Sequence, residues 1–305
     1  MERRGTTTLC AAGGKGERTM QPIWSPGTSH RGDAARHVPS PVAHPAAPSR
    51  VEPDAVTADL FCDVVRGPAS RLPDTPASDW WLPGPARLCL ITGSASVQIR
   101  KRHFASLSSV AVIGPTDRAH RVVVENGSMV SMAITPLGWA RLIRRGAAGF
   151  RNMAVPLREA MREPFASLAE DLLHAPQAEG ALASRRLHDL LLPLADAARE
   201  EPMVLALDAL IRDPANVQVR DLNARLALSE AQLRSLALRH FGIPAKILLR
   251  RARFLRSLAQ VDYRAGHSSY AAIDPSYHDV SHFLRDAHYF LGTTPRRFRL
   301  LSSHH

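Results

Sequence analysis

The chain changes its hydrophobic period part-way along, and that switch limits what it can fold into. From about residue 58 to 155 the apolar residues come in short runs closed by turn residues. Arg87-Leu88-Cys89-Leu90-Ile91-Thr92 ends at Gly93, Val97-Gln98-Ile99 follows, and Val110-Ala111-Val112-Ile113 stops at Gly114-Pro115. Arg121-Val122-Val123-Val124 then leads to Glu125-Asn126-Gly127, with Met129-Val130-Ser131-Met132-Ala133-Ile134 beyond it. Runs punctuated in this way predict strands, and Asn-Gly between two of them predicts a hairpin turn. From about 156 the period becomes helical. Phe165, Leu168, Leu172 and Leu173 share one spacing, then Leu182, Leu187, Leu190, Leu191 and Leu194, with Pro193 kinking or ending the second helix. A chain of 305 residues exceeds the usual single-domain size. The expectation is therefore an α+β protein of two domains: an N-terminal antiparallel β-rich domain with connecting helices over 56–200, and an all-α C-terminal domain over 201–302.

Residues 1–55 fit neither pattern. Pro39, Pro41, Pro45, Pro48 and Pro53 exclude a regular helix or central strand there, and the stretch reads as a disordered tail with no assigned function. It has no compact apolar segment behind its charges, so no signal peptide is expected, and no apolar run reaches the length of a membrane span. Cys10, Cys62 and Cys89 lie far apart and form no CxxC pair, which suits a reducing cytoplasm rather than a disulfide scaffold or a structural zinc site.

The last hundred residues divide into short helices with their own starts and stops. Val219 to Ala227 forms an amphipathic helix, Leu228 and Ser229 a turn, and Ser229 is a good N-cap for a second helix running from Glu230 to about His240 and stopping at Gly242. Leu233 and Leu236 face inward, leaving Gln232, Arg234 and Ser235 near the exposed leading end. A longer helix from about Pro244 to Val261 carries Lys246, Arg250, Arg251, Arg253 and Arg256 among apolar residues. A second unit follows: Tyr270 to Ile273 as its first helix, Asp274-Pro275-Ser276-Tyr277 as its turn, and a helix capped by Asp279 that runs through Phe290 to Gly292. Val280, Ser281, His282 and Arg285 occupy its leading end. Thr293-Thr294-Pro295 opens a final basic helix with Arg296, Arg297 and Arg299. Two helix-turn-helix units on a spacer helix are a device for reading DNA, because a recognition helix enters the major groove with its leading end.

Charge agrees. The net +11 points to a polyanion, and nucleic acid is the commonest one, although a genome rich in G and C favours Arg and raises the same number. Nothing suggests an enzyme, a metal or a cofactor. His103 and His120 are isolated, so no cupin-type metal cluster forms, and no GxSxG, P-loop or GxGxxG stands between a strand and a helix. Cys89, within an apolar strand, reads as an inert buried thiol. His240, His278, His282 and His288 are spread over two units without a Cys or carboxylate set.

The ordered series of motifs resembles the DNA-binding domain of the AraC/XylS family. It is carried by Leu222…Ala227-Leu228-Ser229…Leu233, Arg239-His240-Phe241-Gly242 and Lys246…Leu249…Arg253. Tyr277…Asp279…Ser281-His282-Phe283…Arg285 and Gly292-Thr293-Thr294-Pro295…Phe298-Arg299 complete it. The resemblance implies a double helix-turn-helix regulator of bacterial transcription whose partners are double-stranded DNA and RNA polymerase. The DNA-contacting residues it points to are Ser229, Gln232, Arg234, Ser235, Arg239, Lys246, Arg250, Arg253, Val280, Ser281, His282, Arg285 and Arg296. The chain departs from the family at Ser235-Leu236-Ala237, at Pro244-Ala245-Lys246, at Ala287 where an aromatic is usual, and at Pro275-Ser276-Tyr277. That last turn is expected to place a non-glycine residue at positive φ. Residues 58–200 more weakly resemble the domain that precedes this module in some members, through Trp81-Leu82-Pro83-Gly84, Leu88 to Ile91, Thr135-Pro136-Leu137-Gly138-Trp139 and Asn152…Val155-Pro156-Leu157. That likeness implies small-molecule sensing, homodimerisation or both, with Trp80, Trp81 and Trp139 lining a pocket or packing in the core. The competing reading is a non-DNA-binding adaptor or effector-binding protein whose helix-turn-helix domain has degenerated.

Overall fold

Two long strands carry the sheet. The computed structural model describes residues 50–51, 60–70, 75–143, 145–161, 201–215, 218–263 and 269–302. The tail, apart from Arg50 and Val51, and the connecting helices expected over 162–200 lie outside these residues. Strand β4, Arg87–Ile99, and strand β7, His120–Ile134, pair antiparallel from Arg87↔Ala133 to Ile99↔His120. The register shifts between Thr92 and Ser94. There Gly93 takes φ +80° and Asn126 φ +53°. A Cβ on Gly93 would lie 2.3 Å from the Asn126 carbonyl oxygen, and one on Gly127 would lie 1.8 Å from that of Thr92. Asn126-Gly127 is therefore not the hairpin turn expected but one side of a bulge facing Gly93, inside a single strand. Both devices need a residue at positive φ, so the dipeptide signals either.

The bulge lets each half of a long strand take a different neighbour. The beginning of β7 pairs with β3 (Ala77–Trp81) and its end with β2 (Phe61–Ala69), which also pairs with β1 (Arg50–Val51). The beginning of β4 pairs with β6 (Val110–Ile113) and its end with β5 (Arg102–Phe104). Strand β8 (Ala154–Pro156) closes the path β1-β2-β7-β4-β6-β8, antiparallel throughout. Leu88 and Leu90 enter one apolar cluster, with Met132, Trp139 and Phe150. Cys89 and Ile91 enter another, with Val97, Val122 and Trp81. Both faces of the start of β4 are buried, which is why it reads as an unbroken apolar run. Burial pushes the Cys89 thiol up to about 12, so it stays protonated. Trp81 and Trp139 are core residues; Trp80 is half-buried and meets Phe298 edge to face at 6.4 Å.

The helical half contains α1 (Glu201–Arg212), α2 (Val219–Leu226), α3 (Glu230–Leu236), α4 (Ala245–Ala259), α5 (Val280–Leu291) and α6 (Pro295–Leu301). A wider turn, Ala237–Phe241, extends α3 to Gly242, which is left-handed at φ +70°. Tyr270–Ile273 differs from expectation. It forms turns, not a helix. Four residues cannot recover the cost of nucleating a helix, and Asp274 instead folds back to accept hydrogen bonds from Ser276 through its backbone N–H (2.9 Å) and its hydroxyl (2.6 Å).

Sheet and helices meet in a polar and aromatic junction within one compact unit, Pro45–His305. Arg251 of α4 donates from one guanidinium nitrogen to the carbonyl oxygens of Gly84 (3.0 Å) and Thr116 (2.9 Å). The Ala119 backbone N–H donates to Phe290 at 2.7 Å, and the Tyr289 hydroxyl donates to the Asp117 carboxylate at 2.9 Å. Asp117 is fully buried and also accepts from Arg151 and Asn152, each at 2.6 Å. Burial alone would raise its pKa, but these bonds and the Arg118 charge outweigh it and hold the carboxyl at about 2 instead of 3.8.

Asp117→Ala should cost about 3 kcal/mol in urea unfolding at neutral pH, because it strands Arg118, Arg151 and Tyr289 around an empty buried site. Since the folded pKa is depressed, the wild-type advantage is complete above pH 3.8 and disappears as pH falls towards 2. An unfolding gap that is constant from pH 5 to pH 2 would contradict this assignment.

Candidate nucleic-acid interface

The first unit is built from α2, α3 and the start of α4. Gln218 and Asp221 close the start of α2 reciprocally, and Ser229 and Gln232 do the same for α3. The Ser229 backbone N–H donates to Gln232 Oε1 at 2.9 Å, while Ser229 Oγ accepts from the Gln232 N–H at 3.3 Å. Two residues proposed to contact DNA thus first hold the helix end in place, and the Gln232 amide NH₂ still projects from an exposed side chain. Leu233 and Leu236 are buried with Val204, Leu207 and Leu222, which turns Arg234 and Ser235 outward. Arg239 is exposed as well, whereas His240 is buried.

The turn between α2 and α3 is strained. Ala227 sits at φ +51°, ψ +39°, in the left-handed region where a Cβ is unfavourable. The second turn, where positive φ was expected at Pro275-Ser276-Tyr277, has none: Asp274 and the Tyr277 backbone N–H, which donates to the Asp274 carbonyl at 3.0 Å, shape it without a left-handed residue.

The leading ends of α2, α3 and α4 border a groove of about 860 Å³. Its charged residues are Arg220, Arg234 and Lys246 against one acid, Glu230. Arg220 was not among the residues singled out from the sequence. Its only distinguishing signal was a basic residue at the second position of a capped helix. It is exposed and touches Asp221 at 3.8 Å, a surface pair of little energetic weight.

The second unit presents α5. Asp279 caps it by accepting from the His282 N–H at 2.6 Å, and Gly292 ends it at φ +77°. Val280, Ser281 and Arg285 are exposed at or near the leading end, and Arg296 is exposed on α6. His282 is half-buried, its ring edge-on to Tyr277 at 5.0 Å. Where an aromatic would be usual, Ala287 lies between Phe283 and Phe290 on the buried face. Phe254 of α4 stacks on both rings, at 5.5 and 5.1 Å, in the same apolar cluster as Ala287.

Arg250 and Arg253 are placed differently from a phosphate-facing pair. Both reach Asp286 of α5, which is fully buried, at 2.6 and 3.4 Å, and the Tyr277 hydroxyl donates to the same carboxylate at 2.8 Å. Their guanidiniums also lie over the Tyr289 and Tyr277 rings, at 4.5 and 4.3 Å. An acid in the middle of α5 draws the spacer's arginines inward, and a basic stripe in the sequence carries no sign of that.

No known protein-family model matches the chain, and no curated protein matches it. Among solved structures it is similar to ToxT from Vibrio cholerae, with 9% identity over 84% of this chain and 99% of that one and a TM-score of 0.40. The unsaturated fatty acid-bound form of ToxT gives 9% identity, coverages of 78% and 94%, and a TM-score of 0.39. The AraC-like transcriptional activator CuxR gives 12%, 70% and 88%, and 0.26.

Ala227→Gly should raise stability by roughly 1 kcal/mol, seen as a higher urea midpoint at unchanged slope, because glycine adopts this turn without a Cβ clash. A lower midpoint would show that Ala227 is not left-handed in solution.

Proposed function

We propose that the chain is a sequence-specific DNA-binding regulator of transcription in which the leading ends of α3 and α5 read double-stranded DNA. The observation that carries this reading is the way α4 supports both. Leu248 and Leu249 pack with α3, Phe254 packs with α5, and Ile247 touches both clusters. Two recognition-type helices on one rigid spacer suit successive major grooves about 10 base pairs apart. The sheet meets α5 through Tyr289 and Phe290, at its trailing end, so the leading end remains open. Arg220 and Lys246 take phosphates, while Gln232, Arg234 and Ser235, with Ser281 and Arg285, face base edges. In this reading the chain works in the cytoplasm with DNA and RNA polymerase, and the sheet half takes a small-molecule effector, a second copy of the chain, or both.

One observation favours the adaptor reading: the second unit lacks a first helix among the described residues, and Arg250 and Arg253 are held by Asp286. The two readings separate in a salt-dependent gel shift on the DNA upstream of the chain's own gene. A regulator shifts that fragment at low salt ahead of random competitor, whereas an adaptor leaves both unshifted.

On the preferred site Arg234→Ala should weaken binding by about 1–3 kcal/mol, with little change on random DNA. Lys246→Ala should weaken both alike and reduce the slope of log K against log salt by about 1. Equal losses on both DNAs for Arg234→Ala would reassign it to phosphate.

A further inference from the structure

One large apolar side chain stands in water at the leading end of α5. Among the described residues the exposed large hydrophobics are Leu205, Val280, Leu300 and Leu301, and of these only Val280 opens a helix. It is 40% exposed and is the first residue of α5. A β-branched side chain adds nothing to helix propensity at that place. Its neighbours show why it stays in front. Asp279 caps the helix by accepting from the His282 N–H at 2.6 Å. The His282 ring lies back on Tyr277, edge-on at 5.0 Å, and Phe283 is buried. Ser281 and Arg285, four residues apart, share the exposed face beside it. The first turn contains no acid, and the only arginine or lysine on the helix is Arg285, five residues on. The tip of the second unit is thus an isopropyl group with no cation next to it on the helix, whereas Arg220, Arg234 and Lys246 border the groove of the first unit.

We propose that Val280 is a specificity-determining residue that packs against the C5-methyl group of a thymine, so that the second unit reads one T·A pair by apolar contact. A phosphate is an anion and offers an isopropyl group nothing. The base edges in the major groove are hydrogen-bond donors and acceptors with one exception, the thymine methyl, and that is the feature apolar side chains read there. Ser281 and Arg285, on the adjoining face, are left for hydrogen bonds to neighbouring bases or phosphates. The assignment rests on the DNA-binding reading and adds to it the identity of one base pair. Covering about one methyl group changes affinity about fourfold, which corresponds to about 0.8 kcal/mol.

The test starts from the full chain and a random pool of double-stranded DNA, from which repeated gel-shift selection enriches a preferred site. Each thymine of that site is then replaced, one at a time, by deoxyuridine, which removes the methyl group and leaves base pairing intact. At one position the replacement should weaken wild-type binding about fourfold. In Val280→Ser the same replacement should make no difference, and in Val280→Ile it should again weaken binding several-fold. The side chain is exposed, so all three proteins should melt at the same temperature. A valine that merely fills the helix start would leave the thymine-to-deoxyuridine ratio unchanged in Val280→Ser. The proposal is overturned if no thymine responds to loss of its methyl group, or if the response persists undiminished in Val280→Ser. Either result leaves the DNA-binding reading standing, since a site has been enriched. A pool that never enriches sinks that reading and this one with it.

Discussion

Helix α4 has partners around most of its circumference, and this decides what its five basic residues do. Arg251 reaches the sheet through the Gly84 and Thr116 carbonyls, Arg250 and Arg253 close on Asp286, and Arg256 meets Asp274 at 3.4 Å. Lys246, at the leading end, faces outward. Between the arginines, Leu248, Leu249 and Phe254 fill two separate cores. A charge leaves water only when it is paired and hydrogen-bonded, so each arginine brings a fixed partner and a fixed direction. Together they set the place of α5 and of the sheet relative to the same rod. Any movement of one half against the other has to break these contacts.

That arrangement gives the two ends of α5 different roles. The leading end is capped by Asp279, the middle is held by Asp286 from within the helical half, and Val280, Ser281 and Arg285 are left outside. The trailing end belongs to the junction: the guanidiniums of Arg118, just ahead of β7, and of Arg250 from α4 both lie over the Tyr289 ring, and its hydroxyl bonds to Asp117. A rigid helix couples the two, because displacing Tyr289 moves Val280, Ser281 and Arg285 with it. The first unit has a different connection to the sheet. Gly242, left-handed after α3, comes so close to the Ala147 carbonyl that an added Cβ would lie at 2.8 Å. Both helices therefore meet the N-terminal half at or just past their trailing ends, Gly242 against Ala147 of the 3-10 turn Ala147–Phe150 and Phe290 against Ala119 ahead of β7.

Local rules that act over a few residues were legible. Ser229, Asp279 and Thr294 cap the helices they precede, and Gly242 and Gly292 stop theirs. The antiparallel strands also follow from their β-branched runs. What escaped the sequence depends on partners far away along the chain. Asn126-Gly127 satisfies a hairpin and a bulge equally, and only Gly93, more than thirty residues earlier, decides between them. Arg250 and Arg253 look like a solvated basic face until Asp286 is folded against them. Tyr270–Ile273 has helical residues but too few of them, with Asp274 and Pro275 following.

The same distinction applies to charge. A net +11 counts arginines without asking which are neutralised. Asp117 and Asp286, each fully buried, engage Arg118, Arg151, Arg250 and Arg253 between them, and the Arg251 guanidinium is tied to carbonyl oxygens. Among the described residues, positive charge that still faces outward includes Arg220, Arg234 and Lys246 around the first groove, Arg285 and Arg296 on the second unit, Arg100 with Arg297 at the junction, and Lys101, Arg102, Arg121 and Arg158 elsewhere on the sheet half. Field strength follows local uncompensated charge, not the sum over the chain, so the groups that matter to an anion are these outward-facing ones. Those beside the leading ends of α3 and α5 suit an extended polyanion.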